Sequence, residues 1–359
     1  MVYTYNNMEN SEIGAMKMKI EKKPLTKLHR CYATSSTVID GEEKILFATE
    51  GEGAAYMYSG DEFTQSTVWD GPGGTMSMVQ VPGMNGDFLA VQNFFPTFQS
   101  EKATIVWAHP EADGSWSVKT ILDLPYVHRF DILSAGGVNY FIGCTLCTSK
   151  KDKEDWSDPG KIYVGVLPTD LNQPIELKII KEGMVKNHGY SRAVWNGMTA
   201  GMVTCDSGVF AVMPPQTPGD GWAIETVLER PVSDIAVGDI DGDGVDELIT
   251  IEPFHGNQFI ISKKTANGYE KVYEYPEEME FGHVVWAGKL RGVPTVIGGQ
   301  RRHAKDLFYI QYIDGEYVKT TIETDIGPSN VAVLNGKERD IIISANREIG
   351  EAVLYIVTD

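Results

Sequence analysis

No apolar run in this chain approaches the roughly 18 residues that a membrane-spanning helix needs, so no membrane association is expected. The opening residues MVYTYNNMENSEIGAMKMKI lack a basic stretch followed by an apolar one. No signal peptide is visible in them, and a cytoplasmic location is expected. Cysteine is scarce: Cys31, Cys144, Cys147 and Cys205 show no disulfide-framework spacing. Cys144 and Cys147 form a lone CxxC with no second pair or nearby histidine, which argues against a zinc ribbon. Positive charge is also in deficit, with 31 Lys and Arg against 50 Asp and Glu and a net charge of −19. Such a chain repels phosphate backbones, and no basic cluster sits beside aromatics, so nucleic acid is not an expected partner. A G-x-S-x-G elbow and a Gly-rich phosphate loop are both missing, which removes the commonest serine-hydrolase and nucleotide-binding readings.

Long helical periodicity is absent as well. In its place, short alternating segments recur between turn residues drawn from 37 Gly and 17 Pro. The recurring unit has an apolar inner strand, a tight turn, a second apolar strand, a polar loop, an aromatic-rich third strand and an amphipathic fourth strand ending at Pro or Gly. Inner strands begin near His29, Thr75, Val127, His188, Val232, Gly282 and Ser329. Their spacing, about 45 to 60 residues, is that of a four-stranded propeller blade. The last unit, from Ser329 to Asp359, supplies only three strands, and MKMKIEKKPLTK near the N-terminus has the character of the missing outer one. The expected fold is therefore all-β: a seven-bladed β-propeller closed by an N-terminal outer strand, with residues 1–14 as an extension and 15–359 as one domain. A large β-sandwich is the alternative, but it leaves an orphan strand at each end unexplained.

One unit carries Asp239-Ile-Asp241-Gly-Asp243-Gly-Val-Asp246-Glu247 between β-rich flanks. Carboxylates at loop positions 1, 3, 5 and 9 suit a hard cation with oxygen ligands. An EF-hand would need flanking helices and a Glu at position 12, where this chain has Thr250. The segment resembles the FG-GAP (VCBS-type) calcium loop, which joins the first two strands of a propeller blade. That resemblance implies structural Ca2+ on Asp239, Asp241, Asp243 and Glu247; an acidic hairpin without metal is the other possibility.

In a propeller, inner-strand entries and second-to-third-strand loops open on one face, and first-to-second-strand loops open on the other. His29, His128, His188 and His283 fall at entries, His255 and His303 in second-to-third-strand loops, and only His109 elsewhere. Six of the seven histidines are thus expected around one axial funnel, joined by Arg129, Asp131, Tyr190, Arg192, Arg301 and Arg302. Each histidine taken singly could merely cap a backbone group; the convergence points to a site. Three imidazoles with an open position suit a catalytic transition metal such as Zn2+ or Mn2+, and His188, His255 and His283 are the expected ligands. His128, Tyr190, Arg192 and Arg301 would serve proton transfer and charge stabilisation. A paired-carboxylate glycosidase through Glu50, Glu252 and Glu348 is conceivable.

The stretch DIDGDGVDELITIEPFHGN, which links the cation loop to a histidine of the other face, makes the chain similar to the propeller of aldos-2-ulose dehydratase-type enzymes. Seven-bladed polysaccharide lyases with His/Tyr/Arg sites are similar in architecture. The resemblance implies β-elimination or isomerisation of a small oxidised sugar or uronide, with roles on His128, His188, Tyr190, Arg192, His255 and His283. The expected function is a metal-dependent carbohydrate lyase or dehydratase with a small carbohydrate as its partner. The alternative is a non-catalytic FG-GAP-type propeller that binds a glycan or protein.

Overall fold

The computed structural model describes residues 18–359; the extension expected over residues 1–14 lies outside them. Seven antiparallel sheets follow one another along the chain. Blade 1 comprises Cys31–Ile39, Glu42–Thr49, Ala55–Ser59 and Thr64–Trp69; blade 2 comprises Met78–Gln80, Phe88–Gln92, Thr104–Pro110 and Trp116–Asp123. Blade 3 has Val127–Ala135, Val138–Thr145, Asp158–Val166 and Lys178–Met184, with a short Cys147–Ser149 strand added to its third strand. Blade 4 runs through Tyr190–Trp195, Met198–Cys205, Gly208–Met213 and Ala223–Leu228, and blade 5 through Asp234–Gly238, Glu247–Glu252, Gln258–Thr265 and Gly268–Glu274. Glu280–Leu290, Val293–Arg302, Leu307–Ile313 and Glu316–Glu323 form blade 6. Blade 7 takes Asn330–Asn335, Asp340–Asn346 and Glu351–Thr358, then recruits Lys19–Lys27 from the other end of the chain. The seven-bladed, closed all-β ring expected from the repeat is what the structure shows. Among the described residues no helix is long and apolar enough to cross a membrane.

Burial explains the pattern of each strand. Second strands lie between neighbouring blades and are covered on both faces, so Phe88–Gln92 and Glu247–Glu252 are buried throughout. Outer strands face water on one side, and Trp116–Asp123 alternates accordingly. The cores sit between blades: Ile249, Ile251 and Phe259 of blade 5 pack with Val296, Phe308 and Ile310 of blade 6. Two-residue turns set the register of several hairpins. Asn196 and Gly197 both have positive φ (49° and 76°), which suits the right-handed twist of the strands they join.

Ring closure is antiparallel, with Lys19 opposite Thr358 and Lys27 opposite Glu351. Leu25 packs against a cluster containing Leu354 and Ile343, and the Lys22 ammonium lies 2.7 Å from Glu323 and 2.9 Å from Glu351. Truncation before Leu28 should therefore expose the edge of Glu351–Thr358. Melting temperature should fall and the protein should self-associate, as read by thermal unfolding and size-exclusion chromatography. An unchanged monomer with the parental melting point would show that closure adds nothing.

Candidate functional site

His128, His188 and His283 stand at the entries of blades 3, 4 and 6, each almost fully buried. Each ring uses Nδ1 on a backbone carbonyl further round the ring: His128 on His188 O at 3.0 Å, His188 on Ser233 O at 3.3 Å and His283 on Ser329 O at 2.6 Å. A carbonyl only accepts, so Nδ1 carries the proton in all three neutral rings and Nε2 keeps its lone pair. Ser77 Oγ bonds His128 O, and Ser329 Oγ reaches Cys31 O and Tyr32 O, extending the same pattern to other blades. The hydrogen bonds that tie the inner entries together therefore also fix the tautomer of each imidazole.

His255 comes from the loop after Glu247–Glu252 in blade 5. Its φ of 47° is unusual for a residue other than glycine, and three contacts hold it there. Its N–H bonds Ser233 Oγ at 3.0 Å, and its ring stacks on Phe254 and Phe281 with centroids 4.0 Å and 4.2 Å away. Its Nε2 lies 3.1 Å from His188 Nε2. Ligand atoms of His188, His255 and His283 all fall within 4.8 Å of one another. Two nitrogens bound tetrahedrally at ordinary zinc distances stand roughly 3.3 Å apart, so this donor set fits a transition metal.

Beneath the imidazoles an axial cavity of about 530 Å³ is lined by all seven inner strands. Arg129 reaches across it to Met76 O at 2.9 Å and Asn330 Oδ1 at 3.1 Å, and no carboxylate among the described residues pairs with it. Burial is the chief cause that holds all four imidazoles neutral. It pushes His188 down to about 3, with the Arg129 charge adding to the effect. His128 and His255 are lowered by burial and then by His188, and His283 by burial and then by Arg301.

Other expected site residues are placed differently. Tyr190 and Arg192 line the cavity, but both are engaged by Asp131: the Tyr190 hydroxyl donates to Oδ2 at 3.0 Å and Arg192 Nε to the same oxygen at 2.9 Å. Burial and the Asp131 charge hold the Tyr190 phenol protonated. Arg301 stacks over Phe281 and pairs with Glu348 at 2.7 Å, while Arg302 pairs with Glu280 at 3.2 Å. Two histidines expected at the funnel do not join the cluster. His29 is exposed beside Arg30 and Arg347 in a separate surface cavity where blades 7 and 1 meet. His303 is exposed 3.4 Å from Glu278, carried outward by the turn that closes its hairpin. His109 bonds Asp87 at 2.8 Å, away from the axis.

Two further groups belong to the site. Tyr32 directs its hydroxyl to His283 Nε2 at 3.3 Å, and Asp234 lines the cavity buried, its carboxyl raised by desolvation to about 6. Asp234 follows Ser233 as Arg129 follows His128, so the entry alignment carried a signal for it. On the opposite face, Asp239, Asp241 and Glu247 bring oxygens within 4.8 Å of one another, and Asp243 stands beside them on Lys263.

Residues 232–270 match the FG-GAP repeat family model, which corresponds to blade 5. No curated protein matches the chain. Saccharomyces cerevisiae Sqt1 is similar in structure at TM-score 0.53 and 8% identity, covering 90% of this chain and 82% of that one. The soluble aldose sugar dehydrogenase of Escherichia coli, in its apo-form, is similar at TM-score 0.50 and 13% identity, covering 95% and 99%. The PQQ-bound aldose sugar dehydrogenase of Streptomyces coelicolor gives TM-score 0.48 and 12% identity, covering 95% and 99%. At these identities the likeness is one of fold.

A histidine whose folded pKa lies below its unfolded value makes the unfolded chain the better proton binder. Stability is then lost as pH falls below about 6.5, and the loss continues to the folded pKa. For His188 that window runs down to about 3. Urea midpoints of the metal-free protein should fall steadily from pH 7 to pH 4. His188→Asn, whose amide keeps a donor for Ser233 O, should flatten that fall. Parallel curves for the two proteins would show that His188 does not titrate with unfolding.

Proposed function

We propose that this propeller is a metal-dependent carbon–oxygen lyase or dehydratase acting on a small oxidised sugar or uronide. The observation that carries the reading is the convergence of three neutral imidazoles, His188, His255 and His283, above a cavity of about 530 Å³ that is crossed by a guanidinium without a carboxylate partner. A divalent transition metal held by the three Nε2-side donors would act there as a Lewis acid on a substrate oxygen.

The residues of the chain divide the remaining work. Arg129 binds the substrate carboxylate, since its present partners are neutral oxygens that an anion can outcompete. Asp234, raised to about 6, has the basicity suited to taking a proton near neutral pH. The proton moves from the carbon next to the carboxylate to Asp234, and its bonding electrons form the new C=C bond. The β carbon–oxygen bond breaks with its electron pair on the leaving oxygen, which takes a proton from solvent or from Tyr190. Tyr190, protonated on Asp131, is a donor and not the base. His128 backs His188 with ring centroids 4.5 Å apart and helps to position it. Arg301, near enough to lower His283, adds positive charge at the mouth. On the other face, the Asp loop of blade 5 is proposed as a Ca2+ site.

Elemental analysis of the purified protein tests this reading first. One equivalent of transition metal is expected, and its absence would favour a glycan- or protein-binding propeller. His255→Ala should lose that metal and the ultraviolet-absorbing unsaturated product formed from uronides, with the circular dichroism of the ring retained. Arg129→Gln should keep the metal and raise KM about 10- to 100-fold, the weight of a charged hydrogen bond. An unchanged KM would remove Arg129 from substrate binding.

A further inference from the structure

The Asp loop has an occupant built into its own blade. Asp239 spends both oxygens inside the loop, on Gly242 N–H at 2.9 Å and Gly244 N–H at 3.0 Å. Glu247 is fully buried; one of its oxygens accepts Ile240 N–H at 2.7 Å and the other has no hydrogen-bond partner. A buried carboxylate oxygen left in this state costs free energy unless a positive charge faces it. Lys263 supplies that charge. Its ammonium pairs with Asp241, lies 2.7 Å from Asp243 and stands 3.7 Å from the orphaned Glu247 oxygen.

This placement follows from strand register and not from a chance excursion of a long side chain. Leu248 is paired with Ser262 across the second and third strands of blade 5, so the next residues outward, Glu247 and Lys263, meet at the mouth of the loop. The lysine is only partly exposed, at 24%, and reaches the carboxylates from the sheet side.

We propose that Lys263 is a tethered cation that holds the Asp loop in shape without Ca2+ and competes with Ca2+ for it. An ammonium and a divalent ion cannot share the same carboxylates within a few ångströms without strong repulsion. Calcium enters only when the Lys263 side chain swings to solvent, so binding is weakened and blade 5 folds without metal. The loop lies on the face opposite the imidazoles, so this inference is independent of the proposed lyase chemistry and rests only on the reading of the Asp loop as a Ca2+ site.

The test is calcium titration by calorimetry, with melting curves in Ca2+ and in EDTA, on the intact protein. The parent should melt at the same temperature in EDTA and bind Ca2+ weakly. Lys263→Met should bind Ca2+ at least tenfold more tightly and melt lower in EDTA than in Ca2+. Lys263→Arg keeps the charge and should retain the weak binding of the parent. Equal calcium affinity in the parent and Lys263→Met would overturn the proposal, and so would tight, EDTA-sensitive binding by the parent or no calcium binding by either protein. Should Lys263→Met fold only when Ca2+ is supplied, the two cations are interchangeable as proposed; failure to fold in both conditions would show that Lys263 holds the blade through its packing and would overturn the competition.

Discussion

The antiparallel pairing of Lys19–Lys27 with Glu351–Thr358 is the contact on which the geometry depends. Seven sheets meet around a common axis only if the last is held to the first. Once they do, the inner entries of blades separated by scores of residues become neighbours. His188 and His283 are 95 positions apart in sequence (283 − 188), and their ligand atoms approach within 4.8 Å because of closure and not through any local motif. An open stack of the same sheets would leave each imidazole to cap a backbone carbonyl at an isolated edge.

Closure also decides the electrostatics. The chain carries a net charge of −19, yet its axis is lined by neutral imidazoles and an Arg129 without a carboxylate partner. Bonding each Nδ1 to a carbonyl of another blade satisfies a donor that burial would otherwise penalise. It also leaves the other ring nitrogen unprotonated and facing inward. One network therefore ties blades together and presents lone pairs, and this is why burial lowers the imidazole pKa values without orphaning their polar atoms. Asp234 moves the opposite way for the same reason: desolvation penalises whichever form is charged.

The architecture was legible in the sequence because each blade repeats a pattern that burial imposes. Second strands read as continuous apolar runs, outer strands alternate, and the orphan strand at each end had only one sensible partner. The inner-strand starts expected at Val127, Val232 and Ser329 lie within two residues of the observed Val127, Asp234 and Asn330. The site was legible in part. His128, His188, His255 and His283 converge because topology alone brings entries and second-to-third-strand loops to one face. Topology does not say how far a side chain stands from the axis, and His29 and His303, on the correct face, end in solvent. The pairing of Tyr190 and Arg192 with Asp131 was equally hidden, since it joins blades 3 and 4 through side-chain reach. Tyr32 and Asp234 were overlooked because an entry tyrosine or aspartate looks ordinary until its neighbours across the ring are known.

The second strand of blade 5, Glu247–Glu252, connects two unlike sets of polar side chains. At one end are hard carboxylates from a glycine-rich turn; at the other, past Pro253, is an imidazole held between two aromatic rings. Antiparallel geometry puts the two ends on opposite faces of the ring, so a six-residue strand separates oxygen chemistry from nitrogen chemistry. The strand between them is buried along its whole length. His255 sits at a positive φ that its surroundings must enforce, and part of that enforcement is the fixed register of the strand leading to it. If an ammonium fills the acidic end, the charge that faces Glu247 belongs to the covalent chain itself and does not vary with the calcium concentration around the protein.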